Sequence, residues 1–210
     1  MLPRQTGQIK SMVDEFASFA RMPAPDMTDS DLRIAVQEPV ILFRESNKEI
    51  DFKLDLPAAP VRARFDQRLI SQAMTNLVKN ATEAIEGFGE AQGRPAGYRG
   101  EIEVGLKALE DRVIIEVADN GIGLPKQNRT RLLEPYVTTR AKGTGLGLAI
   151  VQKIIEQHSG TIALEDAPIT ATRSRGALMR VVLPMRTTRL AENTGPTPAS
   201  AAKTALRASR

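Results

Sequence analysis

Between Asp66 and about Glu86 the residues Leu69, Ile70, Ala73, Met74, Leu77, Val78, Ala81 and Ile85 recur at spacings of three and four. That period predicts a long helix with one buried face, capped by Asp66 and stopped by Gly87. Much of what flanks it reads as strand. Residues 51–56 alternate Phe52, Leu54 and Leu56 with Asp51, Lys53 and Asp55, the period of a half-buried strand, and a second short strand is expected at 61–65. Residues 101–106 and 112–118 predict a hairpin around Glu110 and Asp111, and 161–165 and 177–184 read as closing strands. Further helices are expected at 32–47, where Pro39 obscures the start, and at 148–158. The mixture implies an α+β fold: a two-layer sandwich with helices on one face of a mixed sheet in which antiparallel pairing dominates.

The ends of the chain read differently. Residues 8–21 predict a short helix with an apolar stripe of Ile9, Met12, Val13, Phe16, Phe19 and Ala20, stopped by Pro23 and Pro25. Such a helix has little stability alone, so the stripe needs its own domain or a second chain as partner. A linker follows at 22–28, and 87–100 is glycine-rich and reads as a flexible loop. Residues 186–210 have no period and read as a disordered tail. The formal charge of +4 sits wholly in that tail, where Arg186, Arg189, Lys203, Arg207 and Arg210 face only Glu192. With a neutral body, 4% aromatics and no tryptophan, nucleic-acid binding is not expected. The absence of cysteine excludes disulfides and thiolate chemistry. No apolar run approaches the roughly 20 residues that span a bilayer, so this stretch of chain is expected to be soluble.

Three clusters carry chemistry. Asn76 and Asn80 lie four apart on the long helix and so share a side, with Glu83 one turn further and Lys79 beside them. An amide oxygen suits Mg2+, which takes few protein ligands, although two asparagines can equally serve backbone groups or solvent. Directly after a strand, Asp119-Asn-Gly121-Ile-Gly123-Leu offers a carboxylate that can accept from an exocyclic amine and glycines that let the main chain approach a flat ligand. Ordinary turns use the same residues. Gly143-Thr144-Gly145-Leu146-Gly147-Leu then opens a helix whose N–H groups and partial positive charge favour phosphate oxygens. It is neither a Walker A loop nor a Rossmann fingerprint.

In this order the clusters resemble the catalytic ATP-binding domain of histidine kinases, within the family of gyrase, Hsp90, histidine kinase and MutL ATPases that share the Bergerat fold. Asn76-Leu-Val-Lys-Asn80-Ala-Thr-Glu83-Ala is similar to its N box, Asp119-Asn-Gly-Ile-Gly-Leu to its G1 box, Glu134-Pro-Tyr-Val-Thr138-Thr139-Arg140 to its F box, and Gly143-Thr-Gly-Leu-Gly147-Leu-Ala to its G2 box. The resemblance covers residues 30–185 and implies that ATP and Mg2+ are the cofactors. Asn80 would hold the metal, Asp119 the adenine amine, and Lys79, Arg140 and Lys142 would lie near the phosphates. Gly121, Gly123, Gly145 and Gly147 would shape the pocket, and Asn76, Glu83, Thr138, Thr139, Gly143, Thr144 and Leu146 complete the implied binding set. Residues 124–142 would form a lid over the nucleotide. The helix at 8–21 resembles the end of the second dimerisation helix in nitrogen-regulation sensor kinases of the NtrY type.

That resemblance divides the chain into a helix end at 1–25, an ATP-binding domain at 26–185 and a basic tail at 186–210. It implies as partners ATP, the phosphotransfer helices of the same kinase, a response regulator and a second copy through the N-terminal helix. It also implies a parent anchored in the inner membrane, with this part in the cytoplasm. The family's phosphoacceptor helix has no counterpart here, so no catalytic residue is assigned. The one histidine, His158, falls near a helix end, where a packing role is expected. Asn76 stands where hydrolysing relatives resemble one another in having a glutamate, and an amide cannot act as general base. Two rival readings are a stand-alone serine kinase of the anti-sigma type and a non-catalytic nucleotide-binding or dimerisation module.

Overall fold

The computed structural model describes residues 22–92, 97–139, 143–170 and 173–185. The helix expected at 8–21 and the tail at 186–210 lie outside the described residues, as do Arg140 and Lys142. The chain begins with a strand not anticipated from the sequence, β1 (Thr28–Asp31), which pairs antiparallel with β3 (Arg62–Phe65) from Thr28 against Phe65 to Asp31 against Arg62. Its residues Thr-Asp-Ser-Asp carry no apolar alternation, so nothing local announces a strand.

Asp31 then caps α1 (Leu32–Ser46): its carboxylate accepts the Arg33 N–H at 3.1 Å and also the Val61 N–H at 3.0 Å. Pro39 lies inside this helix, where it removes the N–H that would bond the Ala35 carbonyl. Ser71 Oγ donates to that carbonyl at 3.5 Å and partly replaces the missing bond. Leu32, Ala35, Val36 and Val40 share the buried face of the helix with Pro39.

The long helix is α2 (Gln67–Gln92). Asp66 caps it as expected, with Oδ1 accepting the Leu69 N–H at 3.0 Å. Gly87 does not stop it, which corrects the expected end at about Glu86. A mid-helix glycine costs only about 1 kcal/mol, and the next turn gains a buried Phe88 whose ring meets Tyr98 edge-on at 5.0 Å. Leu69, Ile70, Met74, Leu77, Val78 and Ile85 are essentially fully buried along its inner face. Truncating one of them, Leu77→Ala, is expected to cost about 2–5 kcal/mol.

These side chains cover one face of a five-stranded sheet of order β2-β4-β5-β7-β6, built from β2 (Ile50–Asp55), β4 (Gly100–Ala108), β5 (Arg112–Asp119), β6 (Thr161–Asp166) and β7 (Ala177–Pro184). Only β2 and β4 pair in parallel, joined through α2; the other pairs are antiparallel. Ile102, Val104, Val117, Ile115, Met179 and Val181 share the helix-facing side. The other face is polar, with Glu116 bridging Lys107 at 3.5 Å and Arg180 at 2.8 Å, and Arg180 reaching on to Glu165. A sheet with one apolar and one charged face is a two-layer sandwich rather than a three-layer one. After β5 a short 3-10 turn (Arg129–Leu133) interrupts the irregular stretch, and α3 (Gly147–Gln157) packs beside α2 on the same face of the sheet. Among the described residues no helix is long and apolar enough to cross a membrane.

Candidate functional site

The helix-facing side of the sheet ends at Asp119. Its register partner is Ile102, a fully buried residue of the core face, so strand alternation turns the Asp119 side chain toward the helices. The residue is 3% exposed, and its Oδ1 accepts the Gly121 N–H at 2.8 Å and, more weakly, the Ala177 N–H at 3.4 Å. Asn120 beside it is structural: Oδ1 accepts the Glu101 N–H at 2.8 Å, and Nδ2 donates to the Arg99 carbonyl at 2.9 Å.

From there the chain folds back onto α2. A side chain at Gly121 would run into the Ala84 carbonyl group, and the Ile122 N–H donates to the Ala84 oxygen at 3.1 Å. Gly121 therefore lets the loop lie against the helix backbone, and Gly123 supplies the left-handed turn that follows, with φ +76°.

One to two turns toward the N-terminus of α2 stand Asn76 and Asn80, both half-buried on one side of the helix, with Glu83 half-buried and Lys79 exposed. The N-terminus of α3 meets this side. A Cβ at Gly147 would lie 3.8 Å from Asn80 Oδ1 and 3.9 Å from Asn76 Oδ1, so the helix start rests just above both amides. The turn before it is tightened by Thr144, whose Oγ1 accepts the Leu146 N–H at 3.3 Å, and Leu146 is buried as an anchor. Gly145, with φ +71°, presses on the backbone of Tyr136 and Val137, and its carbonyl accepts the Tyr136 N–H at 2.9 Å. That contact joins the start of α3 to the segment that carries Thr138 and Thr139, both exposed.

Thus α2 forms a floor between a carboxylate at one loop and a helix N-terminus at the other, with Gly121 against the Ala84 backbone and Gly147 over the two amides, while Gly123 and Gly145 make turns within the loops. Gly143 and Thr144 are half-buried at the mouth of the second loop. A residue missed by the sequence reading belongs here too. Gly176, at the entry to β7 with φ +135°, lies so close to Asp119 that a side chain there would strike the Asp119 carbonyl oxygen, and its own oxygen sits 3.4 Å from where a Gly123 side chain would begin. A lone glycine before a strand is a faint signal, because it becomes meaningful only once β5 and β7 are known to be neighbours.

His158 closes α3 at the far end. Nδ1 lies 2.7 Å from the Ile154 carbonyl, which can only accept, and Nε2 accepts the Asp66 N–H at 3.0 Å. Those partners fix the neutral Nδ1–H tautomer and occupy both ring nitrogens.

A family model for the histidine kinase-, DNA gyrase B- and HSP90-like ATPases matches residues 65–187. The chain belongs to this ATPase family. Nitrogen regulation protein NtrY of Azorhizobium caulinodans is 50% identical over 182 residues, which is 86% of this chain and 22% of that protein. A putative NtrY-like sensor histidine kinase of Rickettsia conorii is 39% identical over 166 residues, 79% of this chain and 26% of the relative. The chain thus spans about a quarter of the length of these curated relatives. Among solved structures, the catalytic domain of histidine kinase ThkA superposes with a TM-score of 0.62 at 27% identity, covering 76% of this chain and 98% of that one. ThkA in its complex with the response regulator protein TrrA gives a TM-score of 0.66 at 25% identity, covering 87% and 48%. The domain is a histidine-kinase-type member of the ATPase family, similar to the NtrY group. This favours the kinase reading over the anti-sigma serine kinase considered from sequence.

Proposed function

We propose that this domain binds Mg-ATP and, within its parent kinase, donates the γ-phosphoryl group to a histidine on another segment. The observation that carries the reading is the facing arrangement on α2: a buried Asp119 beside backbone pressed to Ala84, and the α3 N-terminus over Asn76 and Asn80. The carboxylate would accept the adenine amine. The N–H groups of residues 143–147 would meet phosphate oxygens, helped by the helix dipole. Lys79 on the exposed rim, with Arg140 and Lys142, would add positive charge there.

For the metal, the donor chemistry fits: Asn80 Oδ1 is a hard oxygen at the phosphate end, and Mg2+ needs only one or two protein ligands beside substrate oxygens and water. Among the described residues no group of three or more His, Cys, Asp or Glu side chains could hold a metal alone, so such a site would be completed by the nucleotide. When bound, the ion would neutralise charge on the leaving diphosphate.

Asn76 and Asn80 can orient the nucleotide and its metal but cannot deprotonate a water, so the site suits transfer rather than hydrolysis. The acceptor nitrogen would attack the γ-phosphorus as the bond to the β,γ-bridging oxygen breaks, releasing ADP. His158 is unsuited to accept the group, since both its ring nitrogens are held by backbone partners. A response regulator is a further part of the proposal, supported by the solved complex of ThkA with TrrA, and a membrane-anchored parent is another, resting on the resemblance to NtrY-type kinases.

Calorimetric titration of this chain with a non-hydrolysable ATP analogue tests the reading. Binding should strengthen with Mg2+ and weaken by roughly 10- to 100-fold in Asp119→Ala, the loss of one hydrogen bond to a charged group. Equal binding by both proteins would remove Asp119 from the site.

A further inference from the structure

Gly176 lies under Asp119 at the end of the segment leading into β7, and that segment carries two arginines. Arg173 is 3% exposed, and its guanidinium donates to Glu101 Oε1 at 3.0 Å and Glu103 Oε2 at 2.9 Å. Both acids alternate along β4 with the core residues Ile102 and Val104, so this anchor is on the face of the sheet away from the helices. Lys53 of β2 joins it through Glu101 Oε2 at 2.6 Å, leaving two acids and two cations in balance. The turn behind Arg173 is closed from both sides, since Thr170 N–H donates to the Arg173 carbonyl at 2.8 Å and Thr170 Oγ1 accepts the Arg173 N–H at 3.1 Å.

Arg175 goes the other way. Its guanidinium lies 4.9 Å over the Phe88 ring of α2, and Phe88 meets Tyr98, whose hydroxyl donates to Asn120 Oδ1 at 3.1 Å. The segment 173–176 is therefore pinned to both layers of the sandwich, and directly after the pins Gly176 touches the Asp119 backbone while the Ala177 N–H reaches Asp119 Oδ1.

We propose that Arg173, locked by Glu101 and Glu103, is a positioning residue for base recognition: it sets Gly176 and Ala177 beneath Asp119 and so aims that carboxylate at the base. The proposal rests on Asp119 being the adenine acceptor. Arg173 touches no part of the nucleotide in this account; it acts through the strand entry. Both bonds leave the single Nη2 atom, and the more strongly hydrated lysine ammonium is costlier to bury there, so Arg173→Lys should recover only part of the effect.

The test compares a non-hydrolysable ATP analogue with its inosine counterpart, which has a carbonyl oxygen in place of the amine. Wild type should prefer the adenine analogue, and Arg173→Met should narrow that preference by roughly tenfold, about one hydrogen bond to a charged group, while still unfolding cooperatively. A variant with lowered Tm and undiminished preference would overturn the proposal and leave Arg173 a structural brace. Should Arg173→Met fail to fold because the buried Glu101 loses a partner, the triple change E101Q/E103Q/R173M is read in the same way. If wild type itself shows no preference, the Asp119 assignment fails. The brace is then judged by hydrogen exchange at the Ala177 amide, faster in the variant if the proposal holds and unchanged if it does not.

Discussion

The two ends of the α2–α3 pair both bury polar groups, yet they are built to opposite purposes. At the far end Asp66 accepts the Leu69 and Asp26 N–H groups, both at or below 3.0 Å, and its own N–H is taken by His158. The carboxylate and amide of Asp66 and both ring nitrogens of His158 have partners within the chain, and the site is closed. At the near end the polar residues Asn76, Asn80 and Asp119 border glycine loops, with Gly121 against the α2 backbone and Gly147 over the two amides. Buried polarity satisfied by neighbours makes structure, whereas buried polarity bordered by glycine main chain and a helix N-terminus makes a place for a ligand.

The largest effect that would break this contrast is expected at Gly121. Replacing it with valine drives a branched side chain into the Ala84 carbonyl, and a thermal melt should show a loss of about 3 kcal/mol together with lost nucleotide binding. Unchanged binding would mean that the loop does not need its contact with α2.

Next comes His158→Ala at the closed end, which strands the Asp66 N–H in the interior. About 2–3 kcal/mol should be lost in denaturant unfolding, with nucleotide affinity left as in wild type. A parallel loss of affinity would show that the two ends are coupled rather than independent.

Acid should act on three braces at once. Burial alone would raise the carboxyls of Asp66, Glu101 and Glu116. For Asp66 the backbone N–H groups of Leu69 and Asp26 outweigh it, for Glu101 the bonds from Lys53 and Arg173, and for Glu116 chiefly Arg180, so all three lie below the ordinary carboxylate range. The unfolded chain then binds more protons as acid is added. Stability from these groups is complete at neutral pH and is lost as pH falls through the unfolded carboxylate values toward the depressed folded ones. Melting temperature measured from pH 7 downward should be flat at first and fall below about pH 5; a rise on acidification would reverse the sign of all three.

The smallest effect is expected for Asn80→Ala. It should remove the strengthening of analogue binding by Mg2+, about 1 kcal/mol, and leave metal-free binding nearly intact. An undiminished Mg2+ effect in the titration would move the metal to another ligand.

Much of the near end was legible in the chain because its parts are local. A capped apolar period announced α2, four residues of spacing put Asn76 and Asn80 on one side, and the glycine clusters marked the two loops. The misses share one cause, that a distant residue decides the outcome. Gly87 does not end α2, because Phe88 finds Tyr98 across the loop. Pro39 is tolerated because Ser71 donates to the carbonyl the proline leaves without its helical N–H. The strand at 28–31 exists because Arg62–Phe65 lies beside it.

What the sequence by itself determined is the set of groups on offer: one carboxylate after a strand, two amides on a helix, and glycines where the main chain must come close. Those follow from period and side-chain chemistry within a few residues. Only the tertiary structure decided which of them meet. The pairing that puts Ala177 beside Asp119, and the clasp of Arg173 with Glu101 and Glu103, join residues about sixty to seventy positions apart. Contacts over such separations are chosen by the packing of the whole core, which no local pattern encodes.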